Sequence, residues 1–244
     1  MSVLIVDLND FVAAGYFLAR LSDRHSWMSA ELLPERILSA CGCICTFFPD
    51  SWALGWSSSP AERSKGATAF HIPEDRISDV MSWAEISFGK VFGWPRVLYS
   101  LEDARAARTL LDPSVDGLTL FALGLPTDLA SAFLDAAKPP PQTEGYAPVG
   151  ATGYFQCVAR RERLAEGGSF LGFDLLSTRM GVLSHSWLCN GLDTQLHEKV
   201  GLLPNAHGFI DSLDVARDCV RRIHAGELKC EPEEWFPWLV VRYG

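Results

Sequence analysis

Over residues 182–189 the side chains sort by alternate positions. Val182, Ser184, Ser186 and Leu188 form one set and Leu183, His185, Trp187 and Cys189 the other, which is the two-residue period of a strand. Asn190-Gly191 follows as a turn. Further β-type runs cover residues 3–6, 43–48, 91–99 around Trp94-Pro95, 118–123, 153–158 and 170–176, the last after a Gly167-Gly168 turn pair. Residues 11–21 are apolar enough for either a strand or a helix. The apolar tail 235–241 reads as a closing strand docked on the core, with Pro237 marking an edge or a bend.

Other segments carry the 3.6-residue period of a helix. Residues 34–40 begin with Pro34 in a first turn and stop at Gly42. Residues 73–88 place Ile77, Val80, Met81 and Ala84 on one face. Ser100 and Asp103 resemble a capping box for a helix to about residue 111. Pro126-Thr127-Asp128 opens a helix with Leu129, Ala132, Phe133 and Ala136 on one side, stopped by Pro139-Pro140-Pro141. Asp211 or Ser212 caps a last helix to about residue 225, with Val215, Cys219, Val220 and Ile223 as its apolar face and Gly226 as its end.

Helices and strands mix without a steady βα alternation, and hairpin-like strands dominate the second half. The expected fold is α+β, a mainly antiparallel sheet with flanking helices. Residues 1–138 form an N-terminal α/β region. Residues 139–152 are a Pro/Gly-rich linker or long loop. Residues 153–244 form a C-terminal α+β region, with the two regions free to pack as one domain.

Composition narrows the class. The chain of 244 residues is 48% apolar and 21% charged, the profile of a folded protein. A net charge of −9 argues against non-specific binding to nucleic acid or anionic lipid. The longest apolar run, residues 11–19, falls short of the roughly 20 residues of a membrane helix. Met1 to Asp7 has no basic start and an early acid, so it does not read as a signal peptide. Seven cysteines, an odd number, point to free thiols in a reducing compartment, and the cytoplasm is the expected location.

The chemistry-bearing residues each have a plain reading. Cys41, Cys43 and Cys45 are spaced by single residues rather than the two to four typical of paired zinc ligands, and on a strand they share one face as buried small hydrophobes. His185 could act as a base toward Cys189 or Ser186. On a straight strand, however, Cys189 lies about 13 Å away and Ser186 points to the other side. His185, Cys189, His197 and His207 show no zinc-motif spacing, and HExxH and CxxC are absent. Neither GxGxxG nor GxxxxGK[ST] occurs. No metal or cofactor is expected. Asp7 with Asp10 and Asp211 with Asp214 suit a strand end and a helix start. The polar-aromatic segment with His185, Trp187 and Asn190 is a candidate pocket wall. Among eight tryptophans, Trp235 stands beside Glu231, Glu233 and Glu234, and an acidic rim next to an exposed Trp would suit a basic protein partner.

Several stretches together resemble a known class. Leu171-Gly172-Phe173-Asp174-Leu175-Leu176, Ser184-His185-Ser186-Trp187-Leu188-Cys189-Asn190, Leu203-Pro204-Asn205 through Gly208-Phe209-Ile210, and Phe236-Pro237-Trp238 resemble small bacterial proteins of the immunity type. The likeness covers residues 118–244. It implies a protein that neutralises a cognate toxin by binding it, with no catalytic residues to carry over. The reading is therefore a cytoplasmic protein that works by steric and electrostatic occlusion of another, basic protein. The alternatives are a hydrolase-like enzyme with a site near His185 or the acids, and a subunit of a larger assembly.

Overall fold

Four apolar runs become the middle of one antiparallel sheet. The computed structural model describes residues 6–48, 72–111, 117–139, 151–189 and 191–244. The long strands are β1 (Phe11–Arg20), β7 (Leu118–Pro126), β8 (Ser169–Arg179) and β10 (Glu234–Tyr243). Consecutive residues along each are buried, so these strands are covered on both faces. Shorter strands extend the sheet: β4 (Thr46–Phe48), β5 (Phe92–Gly93), β6 (Val97–Leu98) and β9 (Val182–Ser186). The order is β5-β6-β1-β7-β10-β8-β9, with β4 also paired to β1. A separate ribbon joins β2 (Ser22–Asp23) to β3 (Arg36–Ile37). Strands from both regions thus belong to one sheet, joined where β7 pairs with β10.

The helices are α1 (Ile77–Ser87), α2 (Leu101–Leu110), α3 (Ala130–Ala136), α4 (Gly153–Arg160), α5 (Leu192–Val200) and α6 (Leu213–His224). Ser100 caps α2 by accepting the Asp103 N–H at 3.0 Å, and Ser212, not Asp211, caps α6 through the Val215 N–H. Both ends follow from a short hydroxyl side chain meeting an unpaired first-turn amide. The architecture is α+β with a mainly antiparallel sheet and flanking helices.

Aromatic rings fix how the helices lie on the sheet. Phe17 and Phe121 are register partners on β1 and β7 and stack at 5.2 Å, and Tyr154 of α4 meets Phe17 at 5.7 Å. Phe133 of α3 sets its ring edge-on to Trp238 of β10 at 5.2 Å. These buried rings contribute both area and geometry.

Some local expectations change in tertiary context. Residues 34–40 are not a helix. They hold β3 and turns, with the Arg24 N–H paired to the Glu35 carbonyl. Residues 153–158 are helix rather than strand, because Thr152 accepts the Phe155 N–H while its own hydroxyl donates to Gly181 at 2.7 Å. The strand expected over 43–48 shortens to β4, and residues 42–44 turn, with the Ile44 and Cys45 N–H groups both donating to the Cys41 carbonyl. The strand at 182–189 ends at Ser186. On α6, Val215 is exposed while Ala216 is buried. Pro237 sits where β10 is paired on one side only, a local edge as expected. It pairs with Leu175 on β8, but the β7 ladder begins only at Leu239, so the missing N–H faces no partner strand there. Helix α5 has no counterpart in the sequence reading. Asn190, residues 3–5 and 140–150, and with them most of the expected linker, lie outside the described residues.

One buried acid joins two loops to the sheet. Asp174 on β8 is 0% exposed. Its carboxylate accepts the Ser39 hydroxyl at 2.8 Å and the Ser186 hydroxyl at 2.7 Å. Ser39 Oγ in turn accepts the Cys41 N–H, and Ser186 Oγ accepts the Leu188 N–H. Burial pushes the Asp174 carboxyl up to about 7, against the downward pull of those two hydroxyls.

Gly15 and Gly172 have φ of +134° and +138° at register shifts in β1 and beside β10. A Cβ would lie 2.2 Å from Val97 Cγ1 at the first and 2.4 Å from Phe209 Cβ at the second. Gly15→Ala and Gly172→Ala should each cost about 2–5 kcal/mol from backbone strain plus overpacking, read as a fall in the urea midpoint. For Asp174 the folded pKa lies above the unfolded 3.8, so its contribution is fully present below that value and lost as pH rises through about 7. The stability of wild type relative to Asp174→Asn should therefore decline by a few kcal/mol across that window. Denaturation curves of both proteins over the same pH series check it, and parallel profiles would contradict it.

Candidate functional site

The turn at residues 42–44 and the end of β9 bring three thiols together. Cys41 Sγ lies 3.2 Å from Cys189 Sγ, and the sulfurs of Cys41, Cys43 and Cys189 all lie within 4.8 Å of one another. The Cys43 backbone N–H donates to Cys41 Sγ at 3.3 Å, and the Cys41 thiol donates to the Ser184 carbonyl at 3.4 Å. Cys41 is buried, Cys189 half-buried and Cys43 exposed. Cys45 does not join them. It accepts the Ser39 N–H and donates to the Ile37 carbonyl on the other side of the turn.

This overturns the picture of three thiols on one strand face. The chain turns at Cys41–Cys45, so the single-residue spacing no longer spreads the side chains along a strand. It also bends after Ser186, where the Trp187 N–H donates to the Leu175 carbonyl at 2.8 Å. The straight-strand separation of His185 and Cys189 therefore does not apply. His185 faces the Cys43 thiol closely enough to pull its pKa down, and His185 Nδ1 is buried with no hydrogen-bond partner.

The electrostatics disfavour a thiolate nucleophile in this state. The contact with Cys189 is the main reason the Cys41 thiol is pushed up to about 12. The contact with Cys41, followed by burial, pushes Cys43 up as well and outweighs His185. An activated cysteine needs the opposite shift. What three soft sulfurs can do is share a cation, and among the described residues Cys41, Cys43 and Cys189 are the group of metal-ligating side chains found together, with His185 outside that 4.8 Å group.

The remaining candidates have local roles. Trp187, read as a pocket wall, is 0% exposed and belongs to the core. His197 Nδ1 is 3.2 Å from the Leu202 carbonyl at the end of α5, and the His207 N–H donates to Asn205 Oδ1. Asp7 accepts the Asn9 N–H, Asp211 accepts Asn205 Nδ2, and Asp214 sits in the first turn of α6.

A second feature lies at the start of β10. A groove of ≈ 720 Å³ runs between α3, α6 and β10, with Leu129, Ala132, Val220, Phe236 and Pro237 as apolar lining. Leu129, Ala132 and Ala136, read with Phe133 onto one side of the same helix, line the groove, and Leu129 and Ala136 also pack against the core. Trp235 also borders it but is fully buried, so it is no exposed anchor. Glu233 turns inward and accepts the Ser177 hydroxyl at 2.6 Å. Glu231 and Glu234 are exposed.

The rim charges are unequal in their pairing. Arg217 is held by Asp128 at 2.7 Å and Arg221 by Asp218 at 2.6 Å. His224 Nε2 lies 3.7 Å from Glu234 and is engaged by the Trp235 N–H at the shorter distance of 3.2 Å. Among the described residues, no arginine or lysine pairs with Glu234, Glu231 or Asp135.

The sequence reading missed Ser39 and Asp174. A signal was present, since Asp174 stands between Phe173 and Leu175 in an otherwise apolar run, where an acid must find internal partners. Among the described residues, no helix is long and apolar enough to cross a membrane. No protein-family model, no curated protein and no solved structure matches the chain.

Proposed function

We propose that this is a protein-binding protein of the immunity type, which neutralises a basic partner, a toxin, by covering its surface. The observation that carries this reading is the apolar groove whose arginines are already paired with acids while its acids Glu234 and Asp135 have no arginine or lysine partner, with exposed Glu231 three residues before Glu234. An apolar lining with uncompensated acids at its rim suits an apolar anchor on a positively charged surface. The net charge of −9 adds long-range attraction to such a partner. Ser186, one nucleophile of the hydrolase-like alternative near His185, is fully buried and donates its hydroxyl to Asp174, which speaks against that choice.

The test is capture by the tagged full chain from lysate of its own cells, with mass spectrometry and a salt series. The expected result is a stoichiometric basic partner. The double variant Glu231→Lys/Glu234→Lys should bind it at least about tenfold more weakly at low salt. That difference should shrink as the screening length falls from about 10 Å at 0.1 M to about 3 Å at 1 M. Glu102→Lys, on the exposed side of α2, should bind as wild type does. No basic partner at low salt, or equal binding by the double variant, would sink the proposal.

A further inference from the structure

We propose that Cys41, Cys43 and Cys189 bind a zinc ion that ties the 39–45 loop to the turn after β9, with His185, the neighbour of Cys43, swinging in as its fourth ligand. The donor set has the right chemistry. Thiolates and imidazole favour zinc over hard cations such as magnesium and calcium. The geometry is close to what the ion needs. Zinc–sulfur bonds of about 2.3 Å in a tetrahedron place ligand sulfurs about 3.8 Å apart. The observed 3.2 Å between Cys41 and Cys189 and the 4.8 Å limit for all three sulfurs bracket that spacing.

Three further features fit a site built for an ion. His185 neighbours Cys43 and its buried Nδ1 has no hydrogen-bond partner, so a side-chain movement toward the three sulfurs, from outside their 4.8 Å group, would make it the fourth donor. The Cys43 N–H already points at Cys41 Sγ, the kind of outer hydrogen bond that steadies a thiolate ligand. Both ligand-bearing segments are anchored to one carboxyl, through Ser39 and Ser186 to Asp174, so the sulfurs are positioned before an ion arrives. Binding replaces three S–H bonds with three Zn–S bonds and releases three protons to solvent, and His185 adds a ring nitrogen lone pair as it moves in. No electron is transferred. Three thiolates on the dication give a net charge of −1, and with His185 in the fourth position the ion's role is mechanical. This inference is independent of the partner reading.

The experiment uses the full chain, purified under reducing conditions without chelators. Zinc content is measured, and cobalt(II) is then added to the metal-stripped protein as a spectroscopic probe. The expected result is about one metal per chain, with a thiolate-to-cobalt charge-transfer band and the visible bands of a tetrahedral ion. Cys43→Ser should weaken cobalt binding by more than about 100-fold, beyond the loss of an outer hydrogen-bond partner. His185→Gln should shift the visible bands, and Cys230→Ser should change nothing. In the unmutated protein, zinc should protect Cys41, Cys43 and Cys189 from alkylation without protecting Cys230. That measurement needs no variant to fold. The proposal is overturned if the reduced protein gives no charge-transfer band, or if zinc leaves the three thiols as reactive as before. It is equally overturned if Cys43→Ser binds cobalt as tightly as wild type, or if the purified protein holds a Cys41–Cys189 disulfide and binds no cobalt after reduction.

Discussion

Asp174 lies without exposed surface on β8, and two loops far apart in sequence hang on its two oxygens. An unpaired buried carboxylate would be prohibitive, so the hydroxyls of Ser39 and Ser186 must stay where they are. Their positions set the Cys41 and Leu188 amides, and through these the turns that carry Cys41, Cys43 and Cys189. Removing one member would leave the others unsatisfied in a low-dielectric interior. The thiol cluster is therefore a consequence of this network rather than of any spacing along the chain.

The sheet around it depends on backbone irregularity in two places. Gly15 and Gly172 take up the register shifts in positive-φ conformations that bring Val97 and Phe209 against the strand backbone. The sheet can then accept covering segments on both faces, which is why β1, β7, β8 and β10 are buried along nearly their whole length. Phe17, Phe121 and Tyr154 fill one such contact, and Phe133 with Trp238 another.

One hydroxyl lies between His185 and the acidic run. Ser177 Oγ donates to Glu233 at 2.6 Å and accepts the His185 N–H at 3.1 Å. Glu233 is thereby drawn inward, leaving Glu231 and Glu234 as the exposed acids beside the groove. The acidic run thus divides by role: one carboxylate braces the strand end and the others face solvent.

Local pattern was sufficient wherever a short-range rule dominates. The caps of α2 and α6, the apolar strands at 118–123 and 170–176, the apolar tail and the α+β class could all be read from period, capping chemistry and turn residues, because those forces act within a few residues. Residues 34–40 and 153–158 could not, since their backbone is decided by distant partners, Arg24 for Glu35 and Gly181 for Thr152. Nor could the thiol cluster. Cys41 and Cys189 meet across 148 positions only because a buried carboxyl must satisfy its oxygens and the chain bends after Ser186 to let it. The burial of Trp235 and Trp187 was settled in the same way, by which surfaces the sheet and helices chose to cover.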